Sequence, residues 1–289
     1  MKILWVFAHP ERRSLNGSLM EAGLAELAER GHDVRVSDLY AMGWKPVVDA
    51  ADFPGAGAGA GTGTDACSAE GDRLVVGEAQ ERGYRERRLS PDVLAEQEKI
   101  DWADAIVLHF PLWWFGPPAI LKGWLDRVLV QGFAFGLKDD QGRTRRYGDG
   151  GLVGKRALIV TSVGAREASF GPRGIHGHVD EVLFPLLHGT FWYTGAAALP
   201  PFVVYGADRA DAKAAADAAA RLRARLAELP TQRPIAYRYE NSADYDGELV
   251  LRPDLEPGRT GLGVHRVDDS AAPAPAPAAA EAGAPGAAE

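Results

Sequence analysis

The 289-residue chain has a single cysteine, Cys67. No internal disulfide can form, which excludes a disulfide-stapled scaffold. Basic charge is not in excess either: 32 Lys and Arg stand against 40 Asp and Glu, a formal charge of −8. That balance counts against a nucleic-acid-binding surface. No apolar run approaches the roughly 18 residues that a membrane-spanning helix needs. The opening run Met1–Ala8 turns polar at His9 with no small-residue cleavage site. No signal peptide is expected, and the setting expected is cytoplasmic. What is present is ample apolar material, 46% of residues, enough for a sizeable core.

Two stretches lack large side chains. Residues 55–63 alternate glycine with Ala or Thr, and residues 271–289 are almost wholly Ala, Pro, Gly and Glu. Neither can offset the entropy of being ordered. A flexible insertion is expected at about 54–65, and a disordered tail over 267–289 follows a single domain of residues 1–266. The insertion is not a G-x-G-x-x-G dinucleotide fingerprint. Thr62 and Thr64 fall where the third glycine is needed, and Asp52-Phe53-Pro54 precedes it instead of a strand.

Elsewhere strand-like and helix-like segments alternate. Strands are expected at Ile3–Ala8, Asp33–Leu39, Ala105–Phe110, Ala157–Thr161 and Phe202–Tyr205. Helices are expected after a Ser14 or Asn16 cap as far as Arg30, and from a Ser90 cap to about Trp102. Others run from Pro118 to about Val130, over Val179–Tyr193 and over Ala210–Leu229. The alternation implies a parallel sheet with right-handed crossovers and helices on both faces. Ligands of such sheets bind at the carboxyl ends of the strands, so the loops after strands one, three and four carry the argument.

The first loop, His9 to Gly17, brings a hydroxyl, an amide and two arginines to a helix N-terminus. It suits a phosphate, or else holds ordinary caps and surface charge. The second, Pro111-Leu112-Trp113-Trp114-Phe115, sets three aromatics between prolines. These are either a stacking surface for a planar ring or core and interface residues. The third holds Thr161, Ser162 and Gly164, and then Gly174-Ile175-His176-Gly177-His178. A histidine between glycines can stand beside a ring that becomes anionic. His178 reads as a surface histidine. The string His176-x-His178-x-Asp180 resembles a metal-ligand motif, but Glu181 occupies a position where histidine is required, so no metal is expected.

Several motifs occur in order: His9-x-Glu11-Arg12-x-Ser14-x-Asn16, Asp38-Leu39-Tyr40-Ala41-Met42 and Leu89-Ser90-Pro91-Asp92. Pro111-Leu112-x-Trp114-Phe115-Gly116, the run from Pro118 to Trp124, and Gly174-Ile175-His176-Gly177 follow. Together they resemble the NAD(P)H:quinone oxidoreductase (DT-diaphorase) family of flavodoxin-like flavoproteins. The resemblance implies a three-layer flavodoxin-like sandwich whose five parallel strands run in the order 2-1-3-4-5. It also implies a cytoplasmic homodimer with its site at the subunit interface, holding FAD, or FMN as in some members, and using NAD(P)H as co-substrate.

By the same resemblance His9, Ser14, Leu15 and Asn16 surround a pyrophosphate. Pro111, Leu112, Trp113, Trp114 and Phe115 lie along the isoalloxazine, with Thr161, Ser162 and Gly164 at its polar edge. Asp126 matches an acidic position on the adenine side, and His176 a histidine that holds negative charge at N1 and O2 of the reduced ring. The chain departs from the family where a hydroxyl is expected. The active-site tyrosine falls at Phe170, and the two tyrosines that a partner subunit lends to the pocket fall at Phe135 and Leu137. The substrate pocket, with Trp114 as its fourth member, is therefore apolar.

The function implied is ping-pong, two-electron hydride transfer from NAD(P)H through flavin N5 to a quinone-like acceptor. A nitro or azo acceptor is an alternative within that class. A flavin electron carrier or regulatory subunit that does not turn over is the reading from another class.

Overall fold

The computed structural model describes residues 1–54 and 74–267. Cys67 and, beyond Pro54 and Val267, the insertion and tail expected above lie outside the described residues. The parallel sheet runs β2 (Asp33–Asp38), β1 (Lys2–Phe7), β3 (Ala105–Pro111), β4 (Arg156–Val163), β5 (Ala197–Ala198), and β6 (Phe202–Tyr205) also pairs with β4. The expected order 2-1-3-4-5 is therefore present. Its fifth position is split into two short segments, because Pro200 and Pro201 between them have no N–H for the ladder.

The pleat divides the apolar residues between two layers. Ile3, Trp5, Phe7, Val107 and Val160 pack under α1 (Leu15–Glu29) and α7 (Ala212–Ala227), against Leu19, Leu27, Leu222 and Leu226. Leu4, Val6, Ile106, Leu108 and Ile159 pack under α3 (Pro91–Trp102) and α4 (Ala119–Val128), against Val93, Ile100, Leu121 and Trp124. The second layer also encloses charge. Glu96 is fully buried and accepts from Ser37 Oγ at 2.7 Å, Trp124 Nε1 at 2.8 Å and Lys99 Nζ at 2.5 Å. Buried Arg127 pairs with Asp52 and Asp92, each at 2.7 Å, and lies 4.6 Å from the Trp44 ring.

The structure decides between the two caps. Ser14 caps α1, its Oγ accepting from Gly17 N at 3.2 Å, while Asn16 lies inside the helix. Ser90 precedes α3 as expected, but its hydroxyl accepts from Arg127 Nη2 at 3.2 Å and makes no cap bond. The helix expected over Val179–Tyr193 is broken into α5 (Val179–Val182), α6 (Phe184–Leu186) and a π-helical turn, Leu187–Trp192. Pro185 removes a ladder donor there, and Thr190 Oγ1 donates to the Pro185 carbonyl at 3.0 Å. Helix α2 (Val76–Arg85) has no counterpart among the expected elements.

Candidate functional site

Because every strand is parallel, the three loops emerge at one edge of the sheet, and side chains tie them together. Asn16 Nδ2 donates to Ser162 Oγ at 2.9 Å, joining α1 to the end of β4. Leu112 N donates to the Ser162 carbonyl at 2.8 Å, and the His9 ring lies 6.5 Å from Trp113. Phe115 closes onto the third loop, 5.4 Å from the His176 ring, and His176 lies 4.9 Å from Phe170.

The first loop is self-satisfied. His9 Nδ1 accepts from Glu11 N at 3.0 Å and lies 3.1 Å from Ser14 Oγ. Gly17 is required where the loop folds back, since a Cβ there would stand 1.8 Å from the Arg12 carbonyl oxygen. Neither arginine is left free to face an anion. Arg12 pairs with Asp38 at 2.6 Å, and exposed Arg13 binds Glu11 through both its Nε and Nη2. Those bonds hold the Glu11 carboxyl below its ordinary range. Leu15 is half-buried against the α1 layer.

The second loop is strained and open. Trp113 and Gly116 exchange both backbone hydrogen bonds at 3.0 Å, closing a two-residue turn over Trp114 (φ 50°) and Phe115 (φ 61°). Positive φ at both central positions is the type I′ turn that glycine and asparagine favour, and bulky residues there cost about 1–3 kcal/mol each. Trp114 is 99% exposed and Phe115 52%. Pro111 is buried at the end of β3, opposite Ser162.

In the third loop Phe170 is buried between His176 and Tyr205, 5.8 Å from the latter. Burial pushes the Tyr205 phenol up. A Cβ at Gly164 would stand 2.0 Å from Oδ2 of Asp208, an exposed side chain that can turn aside. His178 Nδ1 accepts from Asp180 N, capping α5, and Asp180 Oδ2 accepts two bonds from Arg266, both at 3.0 Å. Arg266 thus anchors the segment that follows His176. Neither Tyr205 nor Arg266 was among the candidate residues. The rule of strand carboxyl ends points to Tyr205, at the end of β6, whereas nothing local marks Arg266.

A groove of about 490 Å³ continues from Phe115 along α4 and the π-helical turn, lined by Asp126, Phe135, Thr190 and Tyr193. Asp126 there is paired with Lys122 at 2.6 Å. Leu137 is half-buried outside the residues lining this groove, its carbonyl accepting from Arg145 N. The residues fit a planar cofactor with a polar edge. Exposed aromatic rings stand at the sheet edge, and two buried acceptors, Asn16 Oδ1 and Thr161 Oγ1, lack partners among the described residues. Unmade bonds of that kind cost about 1–3 kcal/mol each, which a ligand donor recovers.

The pattern of the flavodoxin-like fold family matches residues 1–226. A ribosyldihydronicotinamide dehydrogenase-like protein, traD, from Penicillium crustosum is 42% identical over 92% of this chain and 95% of its own length. NAD(P)H dehydrogenase [quinone] 1 of Cavia porcellus is 30% identical over 88% of this chain and 87% of its own. Among solved structures, a candidate quinone reductase from Klebsiella pneumoniae superposes with a TM-score of 0.84. It is 43% identical over 92% of this chain and 100% of its own. The chain belongs to the flavodoxin-like family; the Cavia porcellus and Klebsiella pneumoniae relatives are named for quinone oxidoreduction, and the Penicillium crustosum one for its likeness to a dehydrogenase.

Proposed function

We propose that this member of the flavodoxin-like family is a flavin-dependent NAD(P)H oxidoreductase acting on a quinone-like acceptor. The observation that carries the reading is the sheet-edge turn, where Trp114 and Phe115 are held exposed in a strained conformation beside His176. Strain of that kind persists only where the surroundings enforce it, and it clusters at ligand sites.

When bound, the flavin supplies the two-electron chemistry, taking hydride from NAD(P)H and passing it to the acceptor. This chain's own residues bind and orient. Trp113, Trp114 and Phe115 give the ring an apolar face, and the main chain around Leu112, Ser162 and Gly164 meets its polar edge. The N-terminus of α1, with Ser14 and Asn16, receives the phosphates, aided by the positive end of the helix dipole. His176 holds the negative charge that develops at the polar edge. FAD is favoured over FMN because Asp126 stands along the groove that leads away from Phe115.

Phe170, Phe135 and Leu137 bring no hydroxyl, so the acceptor is selected by shape and apolar contact more than by donors. The assembly proposed is a homodimer in the cytoplasm. Its support is the apolar surface formed by Trp113, Trp114, Phe115 and Ile175, which is 91% exposed.

NAD(P)H and the acceptor occupy the groove in turn, since a second dinucleotide fold is absent from the described residues. Initial rates with NAD(P)H and a benzoquinone varied together should give parallel double-reciprocal lines. Intersecting lines would place both substrates on the protein at once and refute the shared groove.

A further inference from the structure

The helical segment 179–194 is a wall with a cavity on each side. Pro185, Thr190 and Tyr193 face the groove described above, whereas Phe184 and His188 line a second cavity of about 260 Å³. Tyr147, Tyr245 and His265 complete its aromatic wall, with Leu249 at the rim, 44% exposed.

The rings form a continuous surface. His188 stacks on Phe184 at 4.5 Å and 18°, lies 5.0 Å from Tyr147 and 5.7 Å from His265, and His265 stacks on Tyr245 at 5.9 Å and 18°. Burial lowers His188 to about 4 and also lowers His265, so both imidazoles are neutral near pH 7. Tyr245 Oη lies 3.0 Å from His265 Nδ1. His188 is 9% exposed and has no hydrogen-bond partner among the described residues.

The charges at the rim are already engaged. Arg238 donates to the Val264 carbonyl, to Asp244 at 2.8 Å and to Glu256 at 3.2 Å, and Arg146 pairs with Glu240 at 3.0 Å. Glu256 also accepts from Arg259, so three guanidiniums face three carboxylates, all of them paired, and the rim offers no free donor to an anion. Electron-rich ring faces attract a positive ring, the more strongly when it is desolvated. The volume falls just below the roughly 300–1,000 Å³ of sites for drug-sized ligands, which limits the occupant to one or two rings.

We propose that this cavity is a second ligand site, separate from the sheet-edge groove, for a planar aromatic cation such as an N-alkylated heteroaromatic. The ligand lies among Tyr147, Phe184 and Tyr245, with its charge over their ring faces, and presents a polar group to His188. The site does not depend on the oxidoreductase reading, and its test involves no turnover.

The full-length protein, with whatever cofactor it retains, is titrated calorimetrically with 1-methylquinolinium, and with 1-naphthoate as an anion of similar shape. The cation should bind at one site per chain, at least tenfold more tightly than the anion. Tyr245→Ala should weaken it at least tenfold. Leu249→Trp, at an exposed position, should block the cavity without disturbing the fold, and Trp114→Ala should leave the affinity unchanged. Equal affinity for cation and anion would overturn the proposal. So would binding that is lost with Trp114→Ala yet survives Leu249→Trp, which would place the ligand in the sheet-edge groove.

Discussion

The molecule reverses the usual distribution of side chains in two places, and the two reversals are unlike. Beneath the sheet, against α3 and α4, Arg127, Asp52 and Glu96 are buried, yet every charge meets a partner within 3.2 Å. At the sheet edge, Trp113, Trp114 and Phe115 are exposed, on a turn whose backbone is strained, and no polar network surrounds them. A buried charge is tolerable only when paired, and there the pairing is complete. An exposed aromatic cluster gains nothing from water, and in the function proposed above its conformation serves to hold a ring. One region is closed by its own residues; the other is open to a ligand.

The largest test of that contrast is Arg127→Met. Removing the guanidinium leaves buried Asp52 with Lys45, at 3.2 Å, and the Asp49 N–H, and strips one ion-pair partner from Asp92. A loss of about 3–5 kcal/mol is expected in urea unfolding. A loss under about 1 kcal/mol would mean that the network is not what closes this side.

The interior also holds a neutral histidine. His109 is fully buried between Trp5 and Phe7, which pushes it down to about 3, and neither ring nitrogen has a partner among the described residues. Its folded-state value lies below the ordinary 6.5, so between those two values the unfolded chain binds the additional proton. Stability should therefore fall as pH drops from about 6.5 towards 3, by roughly 1.4 kcal/mol per pH unit for this one proton. His109→Leu should flatten the slope by about that amount, and an unaltered slope would show that the histidine is not buried neutral.

Trp114→Ala sharpens the other side. Stability should change by less than about 0.5 kcal/mol, as for surface substitutions generally. Flavin retention should fall about tenfold, equivalent to 1.4 kcal/mol. The reverse pattern, lost stability with flavin kept, would make the turn part of the core.

Arg266→Ala is the smallest expected effect. The half-buried pair with Asp180 contributes about 1 kcal/mol to stability. Because it anchors the segment after His176, kcat should drop several-fold with KM nearly unchanged, on the order of 1 kcal/mol in barrier. The exchanged pair Asp180→Arg with Arg266→Asp should restore part of the loss; no change in kcat would remove the anchoring role.

The parallel sheet and its two covered faces were legible because apolar runs such as Ile3–Ala8 and Ala105–Phe110 have the composition of strands buried on both sides, whereas the strand order was implied by the family resemblance. Short-range chemistry was legible at Ser14 and at Pro91. The break in the helix after Val179 follows from one local fact, the missing donor of Pro185, which outweighs an otherwise helical pattern. Long-range pairings were not legible. Nothing near Arg12 signals that Asp38 takes its charge, nor near Asp180 that Arg266 reaches it across 86 positions. The positive φ at Trp114 and Phe115 was hidden for a related reason, since aromatic residues at both centres of a type I′ turn run against local preference.

The central claim is that the open edge is built for a flavin reduced by NAD(P)H. An anaerobic spectral titration of the purified protein tests it most directly. One flavin per chain should bleach with one equivalent of NADH or NADPH and recover its colour with one equivalent of a quinone. A chain that takes up neither FAD nor FMN, or holds a flavin that neither nucleotide bleaches, would contradict it.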